Sequence, residues 1–222
     1  MKSIAIDGPS GAGKSTMARE LAKKLSYVYV DTGALYRAIG YYVLSKKIDA
    51  QDEAAVITVL DEISIELAYD KGEQQVLLEG NDVSGEIRTP EVSMAASAVS
   101  AHPAVRAFLL SLQRKIAAVN NVVMDGRDIG TVVLPSADLK IFLTASPEDR
   151  AGRRYEELLE KGINAHYQEV LMDMKTRDYN DSHRKTAPLI PAEDAIIVDT
   201  TGNELQVSID LLLNLVKEKF FT

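Results

Sequence analysis

The segment IDGPSGAGKST, residues 6–16, restricts the fold of this chain more than any other feature. Its Gly8, Gly13, Lys14 and Ser15 satisfy the pattern G-x-x-x-x-G-K-[ST]. The glycines allow a tight turn, in which successive backbone N–H groups and the positive end of a helix dipole face an anion. Such a turn needs a buried strand before it and a helix after it. The segment therefore predicts an α/β domain with a cradle for the phosphates of a nucleotide.

The neighbouring segments meet that requirement. An apolar run from Ser3 to Ile6 ends at Asp7, and Lys14 to Leu25 follows with its apolar residues on one helical face. Further short apolar runs, separated mostly by helical patterns, are found at 28–30, 122–124, 139–143 and 196–198. Buried runs that alternate with helices predict a parallel sheet covered on both faces. Most of these runs end at an aspartate, and ligands bind beyond the carboxyl ends of such strands.

One section interrupts the alternation of runs and helices. Apolar and other side chains alternate over 63–69 and again over 76–78, with a predicted turn at 70–72 between them. This pattern predicts a β-meander. We therefore expect residues 34–105 to form an insert on a core made of 1–33, 106–150 and 164–222.

The charge balance limits the classes of ligand. The chain has 33 acids and 25 bases, a formal net charge of −8, and no cysteine. Nucleic-acid surfaces are basic, so no nucleic-acid partner is expected, and anions must be met by local arginine clusters. The missing cysteines exclude disulfides and thiolate chemistry. No apolar run resembles a signal peptide or approaches the ~20 residues of a membrane span, which predicts a soluble cytoplasmic protein without a membrane partner.

Two segments predict a phosphate and metal site. In the cradle, Lys14 is expected to reach the outer phosphates and the Ser15 hydroxyl to ligate Mg²⁺. In VVMDGRDIG, a buried strand delivers Asp125 to its carboxyl end, where the carboxylate can hold Mg²⁺ directly or through water. Arg127 offers a planar fork suited to phosphate. The alternative for this segment is a polar turn with an internal ion pair between Arg127 and Asp128.

Two further segments offer groups for a second ligand. In DTGALYR, Thr32 is expected to cap a helix and to leave Arg37 free to face an anion. In KTRDYNDSHR, the residues Arg177, Asp181 and Arg184 are spaced i, i+4 and i+7 and would share one helix face. Taken alone, the first segment is equally a capped helix with a solvated arginine, and the second a ladder of surface ion pairs.

The segment TASPEDRAGRR predicts a lid. It places Arg150, Arg153 and Arg154 at i, i+3 and i+4 of a helix. Three like charges on one face cost stability unless an anion lies near, and a phosphate in transfer is such an anion. We therefore expect residues 151–163 to form a lid that closes over the phosphates. A solvated basic face is the alternative.

A nucleotide cradle alone is compatible with switches, motors and kinases. The sequence contains no guanine-reading N-K-x-D element, which argues against a GTPase switch. A motor usually needs a longer chain. The arginine-bearing segments favour a small-molecule kinase with a second pocket, and a nucleotide-binding regulator without an acceptor remains the alternative of a different class.

The chain resembles the bacterial cytidylate kinases, which are nucleoside-monophosphate kinases acting on CMP and dCMP. The matching stretches cover nearly the whole chain in order: IDGPSGAGKST, DTGALYR, DVSGEIRTPEVS, DGRDIGTVV, RDYNDSHR and APLIPAEDA. The resemblance implies a three-layer P-loop fold with a five-stranded parallel sheet, a β-rich monophosphate-binding insert and a short helical lid. It also implies a monomer that uses Mg²⁺ and transfers phosphate in line from ATP. A kinase for another monophosphate, such as UMP or AMP, is the nearest alternative.

The resemblance also implies a role for individual positions. ATP would be bound by Gly8, Pro9, Ser10, Gly11, Ala12, Gly13, Lys14, Ser15 and Thr16. The catalytic groups would be Lys14, Arg127, Arg150, Arg153 and Arg154. The phosphate of CMP would be held by Thr32, Arg37 and Arg127, its sugar by Arg177 and Asp181, and its cytosine by Ser97, Arg106, Asp128 and Arg184. Thr32 stands where some members have serine, and it keeps the hydroxyl.

The expected cytosine pocket predicts a preference for CMP over UMP. Cytosine offers an amino donor together with acceptors at N3 and O2. Asp128 and Ser97 can accept from the amine, and the two arginines can donate to the acceptors. Uracil would turn a carbonyl towards Asp128, and unpaired buried polar groups make such discrimination large.

No histidine is positioned to act as a base. His102, His166 and His183 lack metal-ligand spacing and are expected at the surface. The attacking group would be a phosphate oxygen, which is already largely ionised at neutral pH because its second pKa is about 6. Positioning and charge neutralisation are then sufficient for transfer.

Overall fold

A computed structural model of the chain describes residues 1–70 and 73–221. Its strands are β1 (Ser3–Asp7), β2 (Val28–Asp31), β3 (Ile65–Asp70), β4 (Glu73–Leu78), β5 (Asn81–Asp82), β6 (Val122–Gly126), β7 (Leu139–Thr144) and β8 (Ile196–Asp199). Its helices are α1 (Lys14–Leu25), α2 (Thr32–Ser45), α3 (Glu53–Leu60), α4 (Pro90–Val99), α5 (Pro103–Val119), α6 (Pro147–Glu160), α7 (Tyr167–His183) and α8 (Leu205–Phe221). A 3₁₀ turn spans Glu86–Arg88, and a π-helical turn spans Ile129–Val133.

The central sheet has five parallel strands, as expected, and their order is β2-β6-β1-β7-β8. Side chains of β1 alternate between its faces. Ile4 and Ile6 belong to a core shared with α1 and α8, whereas Ala5 packs with the π-helical turn and partly buried residues of α5. Both faces of β1 are therefore buried, which explains why its sequence is a short continuous apolar run.

The register brings polar strand ends together at one edge of the sheet. Asp31 at the end of β2 lies opposite Asp125 of β6, and Asp7 of β1 lies opposite Gly126. Asp7 is buried and accepts hydrogen bonds from the N–H groups of Ile129 and Gly130, both at 2.7 Å. The aspartates predicted at the strand ends thus occupy different roles, and Asp7 serves to hold the π-helical turn.

The predicted β-meander is present as an antiparallel sheet of β3, β4 and β5. Asp70 ends β3, whereas Lys71 and Gly72 of the predicted turn lie outside the described residues. The meander packs with α2, α3, α4 and part of α5 around a second apolar core that includes Leu35, Ile65 and Leu78. Since α2 and α5 run from the central sheet into this second core, the expected insert is joined to the sheet by two continuous helices.

Two observations concern the helices and histidines for which expectations followed from the sequence. None of the described helices is both long enough and apolar enough to span a membrane by itself, and α4 with α5 reach that length only as a pair bent by 100°. His102 is buried rather than exposed as expected, and its Nε2 lies 2.8 Å from the Ala50 carbonyl oxygen. It directly precedes Pro103, the first residue of α5.

Candidate active site

A cavity of about 660 Å³ opens beyond the carboxyl ends of β2 and β6. Its lining includes all nine residues expected to hold CMP, namely Thr32, Arg37, Ser97, Arg106, Arg127, Asp128, Arg177, Asp181 and Arg184. It also includes Asp125, Arg153, Arg154 and the cradle residues Ser10, Gly11, Gly13, Lys14, Ser15 and Thr16. Of the predicted site residues, Gly8, Pro9, Ala12 and Arg150 do not line it.

The cradle at one end of the cavity is shaped by its glycines. Gly8, Gly11 and Gly13 have φ angles of 150°, 76° and 84°, a region that side chains rarely adopt. A Cβ atom on Gly8 would lie 1.9 Å from the Leu143 carbonyl oxygen, so only glycine fits. Gly13 begins α1 without a side chain to cap it, and the first N–H groups of the helix therefore face an incoming anion.

Lys14 crosses this cradle. Its side chain is buried, and its Nζ donates a hydrogen bond of 2.7 Å to the Pro9 carbonyl oxygen. Burial, helped by the charge of Arg127, lowers the pKa of Lys14 to about 7, although Asp125 and other acids oppose the shift. The ammonium is thus held at the mouth of the loop by a neutral acceptor that a phosphate can replace.

The two expected metal ligands are in contact. The Ser15 hydroxyl donates to Asp125 Oδ2 at 2.9 Å, and the Tyr29 hydroxyl donates to Asp125 Oδ1 at 2.9 Å. Burial, and secondarily the charge of Asp31, raises the pKa of Asp125 to about 6. Within the described residues no group of three or more His, Cys, Asp or Glu could hold a metal. One hydroxyl and one carboxylate suit Mg²⁺, which takes its other ligands from water and substrate phosphates.

The expected role of Thr32 as a helix cap is wrong. Asp31 caps α2 instead, because its Oδ1 accepts from the Ala34 N–H at 2.9 Å. Thr32 is the first helical residue, and its hydroxyl donates to the Asp125 carbonyl oxygen at 2.8 Å. Thr32 thereby ties the start of α2 to the strand that carries the expected metal ligand.

Arg37 is not free, contrary to expectation. Its Nη2 donates to Asp31 Oδ2 at 2.7 Å, so a single carboxylate both caps the helix and holds the arginine. Burial opposes the charge on Asp31, but Arg37 and the Ala34 N–H outweigh it and keep the pKa of this carboxyl below its usual value. The Nε of Arg37 is buried and has no hydrogen-bond partner among the described residues. This donor is available to a ligand.

The internal ion pair between Arg127 and Asp128, the alternative for that segment, does not form. Arg127 Nε donates instead to Asp181 Oδ2 at 2.8 Å, which joins β6 to α7. Asp128 pairs with Arg106, and both side chains are buried. The Arg106 guanidinium lies 5.5 Å from the centre of the Tyr36 ring.

The predicted helix face of Arg177, Asp181 and Arg184 is only partly correct. Arg177 and Asp181 lie on α7, but the helix ends at His183, and Arg184 follows it in extended conformation. Its Nη2 is buried 3.8 Å from Asp128 Oδ1 and lacks a hydrogen-bond partner within the part of the chain described. Ending the helix at this point turns the Arg184 guanidinium towards Arg106 and Asp128, where its Nη2 can donate to a ligand.

The three arginines of α6, predicted to belong to a lid, are all ion-paired in the structure. Arg153 pairs with Asp149 at 2.5 Å, and Arg154 pairs with Glu157 at 2.7 Å. Arg150 is buried, pairs with Asp178 at 2.5 Å and donates to the Ser10 carbonyl oxygen at 2.9 Å. Each arginine thus has a carboxylate partner, and the contacts of Arg150 brace the cradle from behind.

Several residues that line the cavity were not predicted from the sequence. Arg88, from the 3₁₀ turn, adds a cation beside the expected acceptor arginines, and Tyr36 lines the base end. Asn203, Leu205 and Ser208, around the start of α8, line the donor side. Arg88 lies in the stretch DVSGEIRTPEVS, and its charge just before a helix start could have identified it as a candidate anion ligand. The residues around the start of α8 belong to no motif and could not have been identified in this way.

The sheet order, the glycine cradle and the second, arginine-rich pocket define a P-loop kinase of small molecules. Residues 4–218 match the family model described as Cytidylate kinase. The chain belongs to the cytidylate kinase family.

Curated relatives agree with this assignment and confirm the resemblance seen in the sequence. The protein named Cytidylate kinase from Carboxydothermus hydrogenoformans is 51% identical over 216 residues, which cover 97% of each chain. That of Caldanaerobacter subterraneus subsp. tengcongensis is 57% identical over 198 residues, covering 89% of this chain and 87% of the relative. The solved structure of an uncharacterized protein from Eubacterium ventriosum covers 98% of this chain and 99% of its own, with a TM-score of 0.51. At 13% identity it is similar in fold alone.

Proposed function

We propose that this chain transfers the terminal phosphoryl group of ATP to CMP or dCMP, forming CDP or dCDP. As a member of the cytidylate kinase family it is an enzyme and a kinase. The observation that carries the choice of acceptor is the buried cluster of Arg106, Asp128 and Arg184, which faces the same cavity as the glycine cradle. The cluster supplies both donors and an acceptor for a base edge.

At the donor end, the cradle N–H groups would bind the phosphates of ATP, and Lys14 would exchange the Pro9 carbonyl for an outer phosphate oxygen. The charge of the phosphate favours the ammonium form of Lys14, which opposes the effect of burial on its pKa. Mg²⁺, held by Ser15 and Asp125, would neutralise charge on the transferred group. Asp125 is engaged at both carboxylate oxygens, which fixes its orientation.

At the acceptor end, Arg37 and Arg127 would hold the phosphate of CMP. Each is already oriented by an aspartate, Asp31 in one case and Asp181 in the other. The unpaired Nε of Arg37 would donate to the ligand while its Nη2 stays bound to Asp31. The attacking oxygen belongs to this phosphate and is largely ionised, because the second pKa of a phosphate is about 6. No general base is required, and alignment with the donor phosphate is the main contribution of these arginines.

The sugar and base would be recognised by α7 and its neighbours. Asp181 and Arg177 would contact the sugar hydroxyls. Arg184 and Arg106 would donate to the O2 and N3 atoms of cytosine, while Asp128 and Ser97 would accept from its amine. UMP would leave Asp128 facing a carbonyl, and we expect it to be a poorer substrate for that reason.

Closure over the two substrates is also part of the proposal. Residues 151–163 would act as the lid, 34–105 as the monophosphate-binding region, and the remainder as the core. Arg153 and Arg154 line the cavity and would exchange Asp149 and Glu157 for phosphate oxygens. Exclusion of water would prevent hydrolysis of ATP.

The test measures ADP formation with ATP, Mg²⁺ and each monophosphate in turn. Turnover with CMP and dCMP, and little with UMP, AMP or GMP, supports the proposal. Equal turnover with AMP would contradict the assigned base pocket. A slow rate that is the same with and without an acceptor would instead identify a nucleotide-binding regulator.

We also propose a monomer that resides in the cytoplasm and has neither a nucleic-acid nor a membrane partner. The net charge of −8 supports the absence of a nucleic-acid surface. Light scattering on the purified chain tests the monomer, and a mass of twice 24.3 kDa would contradict it.

A further inference from the structure

The meander reaches the edge of the central sheet next to the cavity. Strand β2 is an outer strand, with β6 on its inner side. On its outer side the Tyr69 hydroxyl donates to the Tyr29 carbonyl oxygen at 3.1 Å. Gln74 of β4 contacts the same edge at Asp31. The insert is therefore attached to the end of β2 by side chains rather than by a backbone ladder.

Gln74 binds both backbone groups of one residue. Its Oε1 accepts from the Asp31 N–H at 2.8 Å, and its Nε2 donates to the Asp31 carbonyl oxygen at 3.4 Å. The amide thus replaces a neighbouring strand at this position. The side chain of Asp31, in turn, caps α2 and holds Arg37. A chain of contacts runs from Gln74 through Asp31 to Arg37.

We infer that Gln74 is a positioning residue for the acceptor phosphate. By fixing the backbone of Asp31 at the turn from β2 into α2, it fixes the carboxylate that orients the Arg37 guanidinium. Gln74 is not among the residues that line the cavity, so it would act without touching the ligand. This inference depends on the proposed function, in which Arg37 binds the phosphate of CMP.

The experiment compares Gln74→Met with Gln75→Met. Methionine keeps the length of the side chain and removes the amide hydrogen bonds. Gln75 is the matched control, because it is the next residue of the same strand, is equally half-buried and points to the opposite face. A lost hydrogen bond of ordinary strength corresponds to about 3- to 10-fold. We expect Gln74→Met to raise the KM for CMP by that factor, with the KM for ATP and the melting temperature close to those of Gln75→Met.

A double-mutant cycle tests whether the effect passes through Arg37. In an Arg37→Met background, Gln74→Met should raise the KM for CMP no further. Calorimetric titration of CMP in the absence of ATP should give the same pattern in Kd. An undiminished effect of Gln74→Met in the Arg37→Met background would overturn the inference, as would equal increases in the KM values for CMP and ATP.

The wild-type enzyme separates the two hypotheses. If it does not phosphorylate CMP at all, the proposed function is wrong. If it does, and Gln74→Met behaves as Gln75→Met does, the proposed function stands and only the positioning role of Gln74 is refuted.

Discussion

The two ends of the cavity bind anions by different physical means. The donor end is made of consecutive residues, and its groups are backbone N–H donors and Lys14, whose partner is a neutral carbonyl. The arginines of the acceptor end come from separate elements, and each of Arg37, Arg106 and Arg127 is already paired with its own aspartate. At the donor end, Lys14 therefore has no carboxylate partner, in the part of the chain that the structure describes, that a polyanion must displace. The acceptor end has six cavity-lining arginines against three aspartates and keeps an excess of positive charge, but a ligand there must share or replace the partners of three of those arginines.

This difference has consequences for selectivity. A buried ion pair contributes little net stability, since desolvation offsets most of its Coulomb energy. Exchanging one partner for a matched group of the ligand keeps the buried charges paired, whereas an ill-matched base leaves a buried charge unpaired, which costs about 3–5 kcal/mol. We expect the donor end to discriminate weakly among triphosphates and the acceptor end to discriminate strongly among bases.

The largest effect is expected at the donor end. Lys14→Met should lower kcat about 100- to 1000-fold, because it removes a preorganised charge from the transferred phosphate. The melting temperature should change little, since Lys14 is buried with a lowered pKa and makes its hydrogen bond to a carbonyl rather than an ion pair. The control is Lys24→Met at the other end of α1. Loss of activity in both variants would remove the support for a special role of Lys14.

The acceptor end is tested by Arg184→Ala. We expect kcat/KM for CMP to fall about 30- to 100-fold, as for the loss of hydrogen bonds from a charged group, while the KM for ATP changes less than about twofold. Lys185→Ala, an exposed neighbour, is the control. A similar increase in both KM values would show that Arg184 supports the fold rather than the base, and the contrast between the two ends would be lost.

The pH dependence of ATP binding sharpens the description of the donor end. In the free chain the pKa of Lys14 is lowered to about 7, so the side chain is largely neutral at pH 8. Phosphate binding favours the ammonium and raises this pKa. Binding at pH 8 should therefore take up a proton, and affinity should fall as the pH rises above 7, by at most about tenfold per pH unit.

Calorimetry in two buffers of different ionisation enthalpy measures that proton uptake. At pH 8 the phosphates of ATP are already ionised, because their last pKa lies about two units lower. Lys14→Met should show no such uptake. Release of protons by the wild type, or the same uptake in the variant, would contradict the assignment to Lys14.

The smallest effect is expected from Tyr29→Phe, which removes one hydroxyl from behind Asp125. The carboxylate keeps its bond to Ser15 but loses part of its orientation. We expect Mn²⁺, used as a paramagnetic probe for Mg²⁺ in the complex with ATP, to bind about threefold more weakly. Tyr27→Phe, just before the same strand, serves as control. If the affinity for Mn²⁺ is unchanged, the hydroxyl of Tyr29 supports the structure but does not orient Asp125 for metal binding.

The sequence predicted the glycine turn of the donor end and the elements on either side of it, because their geometry is local. Glycines at fixed spacing, a strand before them and a helix after them determine the cradle without help from distant residues. Strands β1, β2, β6 and β7 could be predicted for a similar reason, since both of their faces are largely buried, whereas Ile196 and Ile197 of the edge strand β8 are exposed.

The sequence predicted most of the residues that line the acceptor end, but not which of them form ion pairs with one another. Arg127 pairs with Asp181, 54 residues away, rather than with the adjacent Asp128, because tertiary packing brings α7 across the end of β6. Even the local cap of α2 was misassigned, since Asp31 and Thr32 are adjacent residues of types that both cap helices well. One feature of the sequence could have predicted the role of Tyr29: it lies in a buried strand, where its hydroxyl needs a hydrogen-bond partner.

The side chains of Tyr69 and Gln74 also cover part of the outer edge of strand β2. An uncovered outer strand offers its peptide groups to any passing extended chain. Here three peptide groups of residues 29 and 31 are already engaged by the meander. A version of the chain without that meander would therefore lose a barrier to intermolecular strand addition.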